Sequence, residues 1–418
     1  LNLLEGLRID AQLRLAHTVS WVYAQRGDHT VRLMHRPWQH TPYPTYARLR
    51  AQGPVVTGPM GFAVATTRAS VGEVVRGSEF GTEPPPGSGL HNRFDVVDLS
   101  FLQRDPPDHT RLRRVARPAF APRMIRTYRE SVEQVCGEFL DLALARDRFD
   151  LMHDFAQPFP IRVIALLLGV PESDQARFAQ IGNVIGGSLD GARSAHHLAR
   201  IRKASAELDT LFDRLLAERR AEPRDDVLSA VAAASDEGQV KGDEVGALCR
   251  LLLIAGFETT VNLIGNGVMA LLRDPEQWRA LVEDTSLASA AVEEVLRYDS
   301  PVQTTVRWVH EDTRVQGVPL ARGEQVICLL GSANRDPEHF GDPDRFDVRR
   351  PDAGEHLSFS SGVHYCLGAP LARLEGEVAL RALAERAPDL APTAMPTRRR
   401  TLVVRGLSDF PVKSEVGR

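Results

Sequence analysis

Apolar positions recur at helical spacing from about Arg123 to Leu272 and again from Asp274 to Tyr298, broken by Gly/Pro punctuation and short polar stretches. Strand-like runs are few: Gly61–Thr66, Val302–Val309, Gln325–Leu330 and Thr401–Val404. The pattern predicts a mainly α chain with a minor β part. No internal repeat is visible and no Ser/Gly linker divides the chain. One domain over residues 1–418 is therefore expected, with 1–40 as an N-terminal extension of unassigned role. Two segments have the composition of mobile connections: Gly81–Asn92, with three prolines and three glycines, and Ile181–Gly191, with four glycines. Such stretches suit a lid over a site, and equally an ordinary surface connection.

Asp243–Leu272 is an almost unbroken helical pattern, long enough to cross the molecule and so expected to be core. In its middle, Ala255-Gly256-Phe257-Glu258-Thr259-Thr260 sets a carboxylate and two hydroxyls where burial makes unpaired polar groups costly. A threonine hydroxyl can bond a helical carbonyl, and a neighbouring glycine permits a local opening. Taken alone, the segment reads as a satisfied polar kink.

The charge balance, 51 Lys+Arg against 55 Asp+Glu for a net −4, implies no nucleic-acid partner. With 43% hydrophobic and 25% charged residues the chain is far from the composition of disorder. The longest apolar run, Leu251–Phe257, is much shorter than the roughly twenty residues of a membrane span, so no span is expected. Glu5, Arg8, Asp10 and Arg14 interrupt the leucine-rich start where a secretory signal needs an uncharged core. Four cysteines and no N-x-S/T acceptor point to a reducing, cytoplasmic location.

Three of the cysteines, Cys136, Cys249 and Cys328, lie in apolar patterns and read as inert core. Cys366 lies in Phe359-Ser360-Ser361-Gly362-Val363-His364-Tyr365-Cys366-Leu367-Gly368, a glycine-bearing loop opening into a helix. At a helix entrance, free N–H groups and the macrodipole favour the thiolate that ligates metal. The absence of any C-x-x-C argues against zinc and iron–sulfur clusters, whereas a single thiolate suits haem. Glu294 and Arg297 are three apart on one helix face, a spacing that alone signifies little. His109 and Arg113 share a face four apart, and Arg111, Arg114 and Arg117 read as a solvated basic face or as a docking patch for an acidic partner.

Together and in this order, these segments resemble the cytochrome P-450 monooxygenase superfamily of the soluble bacterial kind. Phe359–Arg373 fits F-x-x-G-x-H-x-C-L-G-x-x-L-A-R, Ala255–Thr260 fits A-G-x-E-T-T, and Glu294–Arg297 fits E-x-x-R. The resemblance runs from about Asp105 to the C-terminus. It implies the P-450 fold, a long central helix over a haem and a cysteine-ligand loop, with Cys366 as axial ligand of haem b. Phe359, Gly362 and Gly368 would shape that loop. Glu258 and Thr259 would be the acid–alcohol pair that delivers protons for dioxygen activation, with Ala255 and Gly256 leaving room. His109, Arg113, Arg307 and His364 would hold the propionates, and Glu294, Arg297 and Arg345 would form a buried network bracing the loop. By the same analogy Leu90, Phe94, Val97, Ile185, Leu252, Val302, Thr304 and Leu407 would line a pocket for a mostly apolar small organic substrate, such as a natural-product or secondary-metabolite scaffold. One position departs: many bacterial members carry Gly where Ser360 stands.

No flavin or nicotinamide motif accompanies these segments. Gly265–Ala270 fits G-x-G-x-x-A but lies inside a helical pattern rather than after a strand. Dioxygen as co-substrate and electrons from a ferredoxin and its reductase are therefore expected. The alternatives are a peroxide-driven peroxygenase and a non-catalytic haem-bearing binding protein; the intact Glu258/Thr259 pair speaks against both.

Overall fold

The computed structural model describes residues 3–89, 97–399 and 401–415. Its central helix runs Gly242–Arg273, one residue beyond the predicted span at each end. Glu244 fixes its start by accepting the Lys241 N–H at 2.8 Å, satisfying one of the donors a helix leaves open there. Helices Pro158–Leu168, Ala195–Ala221, Ala288–Tyr298 and Ala369–Arg386 pack around it. A helix so enclosed must be apolar on nearly every side, and most of Val245–Leu271 is buried. This helix and Leu151–Leu168 are long and apolar enough to cross a membrane by composition, but both are mostly buried against the chain. Gly265 and Gly267 serve close helix packing: a Cβ would come within 2.6 Å of the Met152 sulfur and 3.2 Å of Val295 respectively.

Five strands form one sheet in the order Val55–Thr57, Ala63–Ala65, Gln325–Leu329, Thr304–Val309, Phe80–Gly81. Two predicted strands pair antiparallel in it, from Thr304 opposite Leu329 to Trp308 opposite Gln325. The fourth predicted strand, Thr401–Val404, is instead the tip of a hairpin whose strands are Thr397–Arg398 and Leu407–Asp409. The glycine-rich stretch expected to be mobile is also different. Ile181–Gly186 belongs to helix Glu172–Gly186, and only Gly187–Asp190 tightens into a 3-10 turn. Glycine is a poor helix former, yet Gly182 receives the Phe257 ring and Gly186 the Glu258 carboxylate, where a Cβ would be 3.0 and 2.9 Å away.

Glu258, Asn262 and Asn266 recur every four residues and so form one polar stripe on the otherwise apolar central helix. The stripe fastens the C-terminal hairpin. Arg399 pairs with Glu258, Gly406 lies against Asn262 with no space for a Cβ, and Arg398 Nη1 donates to Asn266 Oδ1 at 2.8 Å. Asn266 Nδ2 in turn donates to the carbonyls of Asp299 and Arg405, both at 3.0 Å.

Candidate active site

The loop before helix Ala369–Arg386 turns through the left-handed region at Ser360 (φ 59°) and Gly362 (φ 69°). Gly362 is obligatory there, since a Cβ would lie 2.7 Å from the Val75 carbonyl oxygen. Ser360 adopts the same backbone region with a side chain, a strain of about 1–3 kcal/mol, and its Oγ is buried without a partner among the described residues. The Cys366 N–H closes the loop on the Phe359 carbonyl at 2.9 Å. Burial pushes the Cys366 thiol up, while the N–H groups of Gly368 and Ala369 and the Arg113 charge draw it down. The helix entrance therefore does not by itself make a thiolate, and a metal cation at the sulfur would tip the balance. Burial pushes the Cys136, Cys249 and Cys328 thiols up to about 12.

Two adjacent glutamates of helix Ala288–Tyr298 bond to the stretches that precede and follow this loop. Glu294 and Arg297 are both wholly buried and meet at 2.6 and 2.8 Å. Arg345 enters differently from expectation: its guanidinium is 63% exposed, and only its carbonyl oxygen accepts Arg297 Nη2, at 3.0 Å. The second cation on Glu294, beside Arg297, is Arg350, at 3.3 Å and 9% exposed. The sequence motif located the right segment, but spacing does not reveal which side chain turns inward. Glu293 accepts Arg373 Nε and Nη2 at 2.5 and 3.0 Å, and lies 3.2 Å from His356 Nε2. This second brace had no signal beyond the doubled glutamate.

A cavity of about 420 Å³ lies between the cysteine loop and the central helix, with Cys366, Phe359 and Gly368 on one side and Ala255, Gly256 and Thr259 on the other. Arg113, Arg307 and His364 stand on its wall. Arg307 is buried and donates to Thr305 Oγ1 at 3.0 Å and the Val306 carbonyl at 2.9 Å; Arg113 donates to the Tyr365 carbonyl at 2.6 Å. His109 lies behind His364, ring to ring at 4.4 Å, rather than on the wall. Both His109 ring nitrogens and His364 Nε2 are buried with no hydrogen-bond partner among the described residues. Asp105 Oδ1, 3.8 Å from His364 Nε2, is too far to satisfy it. Orphaned ring nitrogens beside buried Arg307 and half-buried Arg113 suit an anionic group, and the cavity also presents one thiol. This donor set fits a haem with its propionates at the cationic rim and its iron at Cys366.

The remaining sequence candidates divide. Val97, Leu252, Val302 and Thr304 line the cavity. Ile185 is fully buried and Leu407 packs near Gly265, and neither lines it. Ser188 and Leu189 from the 3-10 turn and Val403 and Val404 from the hairpin tip line it in their place. Leu90 and Phe94 lie outside the described residues. Glu258 does not line the cavity: its carboxylate is turned toward Gly186 and paired with Arg399, a partner that sequence spacing gave no means of assigning. The helix does not break at Gly256, where a Cβ would come within 2.6 Å of Ile164; that glycine admits the neighbouring helix. Arg111 is tied to Asp108 and Glu244, each at 2.6 Å, while Arg114 and Arg117 are exposed.

The family model described as Cytochrome P450 matches residues 55–386. The chain belongs to the cytochrome P450 family. It is 39% identical to the cytochrome P450 monooxygenase PikC of Streptomyces venezuelae, over 90% of this chain and 92% of that protein. It is 38% identical to the polyketide biosynthesis cytochrome P450 PksS of Bacillus subtilis, over 76% and 78% respectively. The crystal structure of P450BioI with an acyl carrier protein bearing hexadec-9Z-enoic acid superposes with a TM-score of 0.84 at 34% identity, over 90% of this chain and 100% of that one. This P450 thus has the mainly α fold of the family and is an oxygen-incorporating oxidoreductase, with haem iron and dioxygen as the family's shared chemistry.

Proposed function

We propose that this P450, as one domain in the cytoplasm, inserts one oxygen atom from dioxygen into a mostly apolar natural-product scaffold built from acyl units, using electrons from a separate ferredoxin and its reductase. The observation that carries the reading is the apposition of Cys366 and Thr259 across a cavity walled by apolar side chains such as Leu252, Val302 and Val404. The polyketide role named for PksS supports the substrate class. Haem bound in the cavity supplies the reduction of dioxygen and the transfer of one oxygen atom to a C–H bond.

The protein's own residues have distinct tasks in this reading. Cys366 holds the iron, with its sulfur steadied by the Gly368 and Ala369 N–H groups. Arg113, Arg307 and His364 hold the propionates, and His109 backs His364. Thr259, whose Oγ1 lies 3.4 Å from the Ala255 carbonyl, holds a proton or a water at the cavity wall. Glu258 is the carboxylate behind it, held away from the cavity by its pair with Arg399 and free to turn toward Thr259 when that pair opens. Exposed Arg114 and Arg117 offer cations to an acidic electron donor.

The test is the reduced carbon monoxide difference spectrum. Cys366→Ala is expected to abolish the red-shifted Soret band of thiolate ligation, and Cys136→Ala, Cys249→Ala and Cys328→Ala to retain it. A thiolate spectrum surviving in Cys366→Ala overturns the assignment.

A further inference from the structure

Between Asp190 and Glu207 the chain carries no acidic residue, but it carries Arg193, Arg200, Arg202 and Lys203 with His196 and His197. In a protein of net charge −4 this is a local excess of positive charge. Helix Ala195–Ala221 begins here, its first turn capped by Ser194 and by Asp10, which accepts the Ala195 N–H at 2.7 Å. The buried side of these turns is Leu198, Ile201 and Ala204. His196, Arg200 and Lys203 follow the i, i+4, i+7 spacing of one face, and all three are exposed, as is Arg193. Burial and then the charges of Arg193 and Arg200 hold the His197 imidazole below its ordinary value, which places these cations together.

The same helix reaches the cavity wall through His197, which flanks this face. His197 Nε2 would lie 3.6 Å from a Cβ on Gly187, and Gly187–Asp190 is the turn whose Ser188 and Leu189 line the cavity wall. An apolar chamber thus has a cationic helix face one turn removed from its wall. The two halves match a ligand with an apolar chain and an anionic carrier.

We infer that the face formed by Arg193, His196, Arg200 and Lys203 docks an acidic carrier protein that presents the substrate as a tethered acyl chain. The inference rests on the acyl-substrate reading above and assigns its delivery. The extent of the patch favours a protein over a free carboxylate: His196 to Lys203 covers about 10 Å of helix, whereas one carboxylate is satisfied by one arginine. Its composition favours a protein over a bilayer, because the exposed positions among these turns carry no large apolar side chain to insert. Docking here would seat the tether beside Leu189, and charge complementarity would steer the encounter.

The experiment uses the haem-loaded full chain and three probes: hexadecanoyl acyl carrier protein, free hexadecanoic acid, and phosphatidylglycerol vesicles. Binding is read by anisotropy of labelled carrier and, independently, by the ferric Soret shift. Carrier affinity is expected to fall roughly tenfold or more in the Arg200→Glu/Lys203→Glu variant and to weaken with added salt. The Soret titration with free hexadecanoic acid is expected to be unchanged in that variant, and Arg114→Glu to leave carrier binding intact. Unaltered carrier affinity after charge reversal overturns the proposal, as does vesicle binding tighter than carrier binding. If carrier binding responds as expected while no acyl probe moves the Soret band, the docking face stands and the acyl-substrate reading falls.

Discussion

Arg297 reaches Glu294 with two donors and spends the rest on main-chain oxygens. Nε and Nη2 meet the two Glu294 oxygens, Nη1 meets the carbonyls of Asn334 and Pro343 at 3.1 and 2.8 Å, and Nη2 also meets that of Arg345. One side chain thereby ties helix Ala288–Tyr298 to two stretches of the segment leading to the cysteine loop. Removing Glu294 leaves Arg297 buried without a counter-charge, and removing Arg297 leaves Glu294 with only the longer Arg350 contact, a loss of up to about 3–5 kcal/mol. Glu294→Ala and Arg297→Ala are expected to lower the melting temperature sharply and to yield little haem-loaded protein. Arg345→Ala, which leaves the bonded carbonyl in place, is expected to change stability by less than about 0.5 kcal/mol, and Arg350→Ala to fall between. Equal losses in Arg345→Ala and Arg297→Ala would contradict this division of labour.

Ser360 holds a backbone conformation that favours glycine. At φ 59° a Cβ is strained, and the unpartnered Oγ adds a desolvation cost. Ser360→Gly is expected to raise unfolding free energy by about 1 kcal/mol, read by denaturant titration, with the thiolate spectrum retained. A destabilised Ser360→Gly protein would mean that the hydroxyl has a partner in solution.

Thr259 is the hydroxyl at the cavity wall, while its neighbour Glu258 faces away. Thr259→Ala removes a weak 3.4 Å bond to Ala255, so folding and haem content are expected to change little. Product formed per reductant consumed is expected to drop several-fold, with hydrogen peroxide or water making up the difference, and Thr259→Ser to restore it. Unchanged coupling in Thr259→Ala would remove the residue from proton delivery.

His109 gives the haem-free protein a distinctive acid sensitivity. Burial, then the neighbouring His364 and Arg113, lower its imidazole from 6.5 to about 4. Between these values the unfolded chain takes up the proton and the fold does not, so the contribution of His109 to stability is lost as pH falls from about 6.5 toward 4. Propionates near His364 would relieve the penalty. The melting temperature of haem-free protein is expected to decline across that window more steeply than that of the haem-loaded protein, and His109→Phe to remove the difference. Parallel pH profiles for the two forms would contradict the role assigned to His109.

What the sequence made legible follows from the kind of signal each element carries. The central helix and the Thr304–Val309 and Gln325–Leu329 strands declare themselves by periodicity, and their ends came within about two residues of expectation. Ile181–Gly186 misled because glycine's low helix propensity is outweighed by the Phe257 and Glu258 groups that need its missing side chain. Thr401–Val404 misled because its β-branched residues face a cavity from a hairpin tip rather than a sheet. Motifs placed Cys366, Arg307 and Thr259 at one cavity, but the partners Arg350 and Arg399 depend on contacts across long stretches of chain, 56 and 141 residues from Glu294 and Glu258.

The stripe of Glu258, Asn262 and Asn266 also sets the order in which the protein can be completed. Its partners Arg398, Arg399, Arg405 and Gly406 are synthesised after Cys366, and so are Val403 and Val404 on the cavity wall. A nascent chain that has already exposed Cys366 still has an open chamber and an unfastened central helix. Closure of the pocket therefore waits for residues 398–406 to fold back onto the central helix, and a chain truncated after about residue 396 would carry Cys366 without a finished room around it.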